Sequence, residues 1–183
     1  MLWIILAVAV VLVGFVVIGF NKLRRTDVGA QEALGGIDVQ LTRRADLIPN
    51  LVNTVKGYAE HEKGVFEAVT EARSGAAAAA KSGSVDQKVA AQAKMDKAII
   101  DVLAVAEAYP DLKASANFQS LQTDLADTEN KISFARQYYN DAVAKLNGLV
   151  RTIPWMFLSG IAGVKAREFY AAPEGQATPP TVS

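Results

Sequence analysis

Residues 2–20 read LWIILAVAVVLVGFVVIGF, an apolar run without a charged, amide or proline residue. At about 1.5 Å per residue it makes roughly 28 Å of helix, close to the ~30 Å hydrocarbon core of a bilayer. Beyond it the pattern changes to a helical period. From about Val28 the apolar positions step by three and four: Leu34, Ile37, Leu41, Ile48, Leu51, Val52, Val55, Tyr58, Val65, Phe66 and Val69. That spacing predicts helix rather than strand. A later stripe carries Met95, Ile99, Val102, Ala106 and Tyr109. Ser84 and Gln87 stand before it in capping-box spacing, and Tyr109-Pro110-Asp111 ends it. The longest stripe runs Phe118, Leu121, Leu125, Thr128, Ile132, Ala135, Tyr139, Val143, Leu146, Val150, a coiled-coil-like seam of roughly 50 Å. Short links between long helices favour antiparallel neighbours crossing at about 20°. The predicted fold class is all-α: an elongated antiparallel helical bundle with one N-terminal transmembrane helix.

Three places interrupt the pattern. Gly35 and Gly36 each cost a helix about 1 kcal/mol relative to alanine, and mark either a close helix approach or a bend. Pro49 cannot sit comfortably inside a continuous helix. Asp46 is a candidate N-cap that would put Pro49 in a first turn, so a fresh helix start near Asp46 is favoured over a kink. Ser74 to Ser84, SGAAAAAKSGS, reads as a frayed helix end passing into a solvent-exposed loop.

Composition narrows the function classes. Lys+Arg and Asp+Glu both total 19, so no net field recruits nucleic acid or an anionic substrate. The absence of cysteine removes disulfides, thiolate metal sites and a cysteine nucleophile. Alanine richness and only six prolines favour helix. The expected organisation is a transmembrane anchor with its basic flank over 1–25, a helical bundle over 26–170, and a flexible tail over 171–183. The apolar run is read as a retained anchor rather than a cleaved signal. No basic residue precedes it, and its exit Gly19-Phe20-Asn21-Lys22 lacks a small-residue cleavage pattern. Lys22, Arg24 and Arg25 follow the span, which by the positive-inside rule puts the N-terminus outside and the body in the cytoplasm of a single-pass cell-membrane protein. These three residues form a basic membrane flank that either touches anionic head groups or only stops translocation, the latter favoured because three charges fall short of a lipid-specific cluster.

Candidate chemistry is sparse. His61 is the one histidine, and His61-Glu62 lacks the second histidine of a zinc motif, so Glu60–Lys63 reads as a solvated helix face. Asp124, Asp127 and Glu129 read as charged surface, since a di-metal bundle needs Glu-x-x-His repeats on facing helices. Glu129, Asn130, Arg136 and Asn140 lie beside seam positions. They form a candidate polar layer, structural by preference, with ligand or partner binding as the alternative. Residues 153–164, IPWMFLSGIAGV, are too short to span a bilayer. Trp155, Met156, Phe157 and Leu158 form a candidate apolar contact patch that caps the bundle, lies in the membrane interface or meets another subunit. No catalytic, cofactor or metal residue emerges.

Two stretches go beyond periodicity. Ile37-Asp38-Val39-Gln40-Leu41-Thr42-Arg43-Arg44-Ala45-Asp46-Leu47-Ile48-Pro49-Asn50-Leu51-Val52, continuing through Val55-Lys56-Gly57-Tyr58 and His61-Glu62, resembles the signature of the LemA family. So do Thr128-Glu129-Asn130, Ala135-Arg136-Gln137-Tyr138-Tyr139-Asn140, and the later Asn147 and Pro154. With the apolar run, the resemblance covers about residues 1 to 170. Phe20-Asn21 stands where family members tend to show Tyr-Asn, and Leu34-Gly35-Gly36 replaces a tryptophan-bearing segment, which affects local packing of the first helix. The resemblance implies a bacterial membrane protein with an antiparallel helical body and no assigned enzymatic activity. Similar proteins are discussed alongside membrane proteases and envelope stress.

The function expected from these readings is a non-enzymatic, membrane-anchored scaffold or interaction protein. Its partners are the bilayer, further copies of itself as a homo-oligomer and a membrane-protein partner, with no nucleic acid and no cofactor. The alternative is a membrane-tethered sensor or regulatory binding module whose polar layer holds a small ligand and which, as the family resemblance implies, acts with an envelope-stress or membrane-protease partner. An enzyme ranks third, because activated nucleophiles and acid–base pairs are missing.

Overall fold

The computed structural model describes residues 1–82 and 84–171, with Ser82 described by its backbone alone. The expected tail therefore lies, apart from Ala171, outside the described residues. Six helices follow one another: α1 Leu2–Lys56, α2 Lys63–Ser82, α3 Val85–Glu107, α4 Pro110–Ala114, α5 Ala116–Arg151 and α6 Met156–Ser159. No strand occurs among the described residues, so the all-α prediction holds. Ser84 caps α3 as expected, its side chain accepting from the Gln87 N–H at 3.5 Å. Pro110 stands at the first position of α4, where its missing N–H is harmless.

Two expectations about helix ends are corrected. The first concerns Pro49, which lies inside α1 rather than after a new start. Proline leaves the carbonyl four residues earlier, that of Ala45, without its helical donor. Arg73 of α2 supplies the replacement, its Nε donating to Ala45 O at 3.1 Å. The second concerns the alanine run, which is helical through Ser82. Alanine is the best helix former, Ala79 is buried, and α2 packs along α3. Lys88 of α3 also donates to Ala80 O at 3.3 Å, satisfying one of the last-turn carbonyls that a helix leaves open. A smaller difference is that residues 57–62 form the turn between α1 and α2. His61 thus sits exposed in a turn, not on a helix face.

The chain divides into two compact units. The anchor unit comprises Met1–Gly35 and Gln137–Phe169; the body unit comprises Gly36–Arg136 and the chain from Tyr170. In the body unit the core gathers Ile48, Leu51 and Val55 of α1, Phe66 and Val69 of α2, Met95, Ile99 and Val102 of α3, Leu112 of α4, and Phe118 and Leu125 of α5. These are largely the positions that the sequence periodicity marks.

The anchor unit has a smaller core of Leu23, Ala30, Leu146, Leu158, Ala162 and Val164. Its apolar span is almost wholly exposed, and it is the one described helix long and apolar enough to cross a membrane. After α6 the chain reverses through a glycine cap. Gly163 has φ +63°, Gly163 N–H bonds Gly160 O at 3.1 Å and Val164 N–H bonds Ser159 O at 2.9 Å. This pair of bonds is the Schellman arrangement, in which a residue with a Cβ would be strained. Asn147 then pins the following segment to α5. Its Oδ1 accepts from Arg167 N–H and its Nδ2 donates to Arg167 O, both at 2.9 Å. Tyr139 Oη adds a bond to Glu168 O at 2.9 Å, and Arg167 Nε reaches Asp27 Oδ1 at 2.8 Å. Burial raises the Tyr139 phenol above its usual range, Arg167 pulls it down and Glu168 pushes it up again.

Candidate functional site

The body unit holds a cluster of charged and polar groups between its helices. α1 contributes Asp38 and Arg44. α3 contributes Lys88, Gln92 and Asp96, spaced by four so that they share one face. α5 contributes Glu129 and Arg136. The chain after the anchor unit returns Tyr170 to the same cluster.

Lys88 is 2% exposed and pairs with Asp38. Arg44 is also buried, with Nη1 2.5 Å from Asp96 Oδ1 and 2.9 Å from Glu129 Oε2. These close approaches are charge pairings without hydrogen-bond alignment, since Arg44 Nη1, Asp96 Oδ1 and Glu129 Oε2 each lack an aligned partner. Arg136 Nη1 lies 4.0 Å from Glu129 Oε1, and its guanidinium stands over the Tyr170 ring at 5.7 Å from the centroid. Tyr170 Oη donates to Gln92 Oε1 at 3.0 Å. Burial pushes the Tyr170 phenol up to about 12, with Arg136 lowering it and Asp38 and Asp96 raising it.

Three cations (Arg44, Lys88, Arg136) therefore meet three anions (Asp38, Asp96, Glu129), so the cluster carries no net charge to attract an ion. Its partners come from α1, α3 and α5, and breaking one buried member leaves the others exposed to desolvation without compensation. Alongside the cluster lies a cavity of about 250 Å³, bordered by Leu41, Arg44, Lys88, Gln92 and Met95 among others. Arg44 Nε and Gln92 Nε2 are buried without a hydrogen-bond partner.

Of the residues singled out from sequence, Glu129 and Arg136 belong to this cluster. Glu129 turns towards Arg44 instead of standing with Asp127 as plain charged surface. Asp127 itself is half-buried, bonded to Lys131 at 2.6 Å with Arg43 at 3.8 Å. These two cations hold its carboxyl below the usual range, with the Lys131 hydrogen bond the larger cause. Asn130 is exposed, and Asn140 belongs to the anchor unit. Arg136, not Ala135, fills the buried seam position between Ile132 and Tyr139. The sequence reading missed Arg44, Lys88, Gln92, Asp96 and Tyr170. The Lys88/Gln92/Asp96 stripe, polar at steps of four beside the apolar stripe of the same helix, was a signal that could have found most of them.

The apolar patch divides between buried and exposed members. Leu158 is buried and Trp155 half-buried within the anchor unit, whereas Met156 and Phe157 are exposed. Of the basic flank, Lys22 Nζ stands 4.7 Å from the Trp155 ring centroid, and Arg24 and Arg25 are exposed. Among the described residues no group of His, Asp and Glu is arranged to hold a metal ion.

These features define an all-α protein whose first helix carries an exposed apolar span and whose polar residues cross-link its own helices. The sequence matches the model of the LemA family over residues 33–183, and the chain belongs to that family. It is also similar to the magnetosome protein MamQ of Magnetospirillum gryphiswaldense, with 23% identity over 164 residues, covering 77% of this chain and 60% of that protein. Two MamQ proteins of Paramagnetospirillum magneticum, MamQ 1 and MamQ 2, are each 23% identical over 183 residues, covering 87% of this chain and 67% of theirs. The chain thus spans about two thirds or less of the length of these relatives. Family and span together are consistent with a membrane-associated protein.

Proposed function

We propose that the protein is a non-enzymatic scaffold, anchored by residues 2–20 and assembling with copies of itself at the membrane surface. The observation that carries this reading is the continuity of α1. One helix, Leu2–Lys56, supplies the exposed apolar span and buried core positions such as Ile37, Ile48 and Leu51. A tether of this kind restricts the chain to two dimensions, where weak self-contacts gain from high effective concentration. Surfaces for such contacts exist: Ile100 is exposed on α3, and Phe134 and Tyr138 are exposed four positions apart on α5. The relatives' names denote a structure and not a reaction, which supports a role without catalysis. Lys22, Arg24 and Arg25 support a cytoplasmic body. Light scattering on the concentrated full chain in detergent is expected to give a multiple of the 19.5 kDa protein mass; a strict monomer across a wide concentration range argues against the scaffold.

The cavity beside Arg44 and Gln92 favours a second reading, a sensor for a small molecule bearing hydrogen-bond acceptors. A thermal-shift screen should then find compounds that stabilise the wild-type chain and lose their effect in Arg44→Gln. Equal responses in both proteins would remove this reading.

A further inference from the structure

Beside the last turns of the apolar span, the chain places a second apolar element. The Trp155 indole stacks on Phe15 with ring centroids 5.7 Å apart and planes at 14°. Leu158 and Trp155 close over Gly19, where an added Cβ would stand 2.8 Å from a Trp155 ring carbon as well as against Leu158. Glycine at this position is what lets residues 155–158 touch the backbone of the span. Above them, Lys22 stands over the same indole.

These contacts fix the depth of the element. Phe15 lies roughly 7 Å inside the end of the span at Phe20, counted at 1.5 Å per residue. A tryptophan held between Phe15 and Lys22 sits at the level where tryptophans line membrane interfaces. Trp155 and Leu158 face the span, while Ile153, Phe157 and Ile161 are 74%, 69% and 69% exposed. The segment satisfies much of its backbone internally, through Met156 N–H to Thr152 O, Ser159 N–H to Trp155 O and Ala162 N–H to Leu158 O, and ends in the Gly163 cap. Internal pairing is what apolar surroundings demand of a backbone. Charge agrees as well. Arg151 and Lys165 are exposed on either side of the segment, no acidic residue stands between Arg151 and Arg167, and Asp27 is tied to Arg167.

We propose that residues 153–161 are a second membrane contact: an apolar wedge in the boundary between head groups and acyl chains, beside the C-terminal end of the anchor. Ile153, Phe157 and Ile161 enter the lipid, and Arg151 and Lys165 meet anionic head groups. The occupant of this patch is the bilayer, because the patch packs on Phe15 and Gly19 of a span whose neighbouring apolar residues Leu12, Val16 and Ile18 are themselves exposed. Interfacial elements of this kind insert roughly 5–10 Å, in line with the depth set by Phe15. The inference rests on the anchoring part of the proposed function and is independent of self-assembly.

The chain has no cysteine, so single cysteines report position without background. Phe157→Cys and Ile161→Cys test the wedge, Leu12→Cys the span and Val39→Cys the exposed surface of the body unit. Each full-length variant carries an environment-sensitive fluorophore and is reconstituted into vesicles of equal parts phosphatidylcholine and phosphatidylglycerol, with nitroxide lipids at shallow or deep acyl positions. Shallow nitroxides are expected to quench the probes at 157 and 161 several-fold more than at 39, and deep nitroxides to quench best at 12. Quenching at 157 and 161 no stronger than at 39, with 12 still quenched, overturns the wedge alone. Loss of quenching at 12 overturns the anchoring on which the wedge rests. Probes at 157 and 161 shielded from lipid but altered by dilution with unlabelled chain would assign the patch to a second copy, and that too overturns the proposal.

Discussion

Replacing Pro49 with alanine should stabilise the protein, and it should do so by making Arg73 redundant. Proline inside a helix is about 3 kcal/mol worse than alanine, through its missing N–H and the clash with the preceding turn. In this chain the missing donor is partly replaced by Arg73 Nε, 3.1 Å from Ala45 O. Arg73 is an exposed residue, so that bond is worth about 0.5–1 kcal/mol net. Pro49→Ala is therefore expected to gain about 2 kcal/mol, being the relief of proline less the displaced arginine bond. Arg73→Ala should cost about 0.5–1 kcal/mol in the wild-type chain. In the Pro49→Ala background it should cost almost nothing, because the new backbone N–H takes over the Ala45 carbonyl. The coupling of the double-mutant cycle is then about 0.5–1 kcal/mol. Urea unfolding of the full chain in detergent, followed by far-UV circular dichroism, measures all four proteins. An Arg73→Ala cost that is the same in both backgrounds would refute the reasoning, because the arginine would then act on something other than the proline gap.

The other predictions concern the polar cluster and the glycine cap. Arg44→Met should destabilise by about 1–3 kcal/mol, below the range for a fully buried pair because the Asp96 and Glu129 side chains keep 25% and 36% of their exposure; chemical denaturation checks this. Tyr170→Phe leaves Gln92 Oε1 without its donor and should cost about 1–2 kcal/mol in the same assay. Because the folded Tyr170 phenol is raised to about 12 from an unfolded value near 10, its contribution is fully present below pH ~10 and is lost as the pH rises towards 12. A spectrophotometric titration should accordingly show one tyrosine ionising late. Gly163→Ala should cost about 1 kcal/mol through strain at φ +63°, and hydrogen exchange should rise at the amides of 163–164, whose bonds form the cap.

The helices and much of the core were legible because burial repeats at helical spacing. Met95, Ile99, Val102 and Ala106 are buried where their spacing put them, and Phe118 to Leu146 follow the predicted seam with one displacement. That displacement is instructive: a step of three or four from Ile132 reaches Ala135 or Arg136, and hydrophobicity favours the alanine. The choice is settled by Glu129 and the Tyr170 ring, neither readable as an Arg136 partner from local pattern. Pro49 misled for the same reason, since the group that repairs the helix lies on α2. Composition misled at 76–80, where an alanine run taken for low complexity is a packed helix end held through Lys88. Tyr170 was invisible because it follows the irregular segment pinned by Asn147, a long-range return with no periodic signature.

The central claim, a membrane-anchored scaffold of associating copies, is tested most directly by site-specific photo-cross-linking in native membranes. A photoreactive residue at Phe134, Tyr138 or Ile100 would be activated in cells expressing the full chain and the products identified by mass spectrometry. The account predicts covalent dimers of this protein from at least one of these positions, and their loss when the protein is solubilised and strongly diluted before activation. Monomer alone at all three positions, with the chain verified in the membrane fraction, would contradict it.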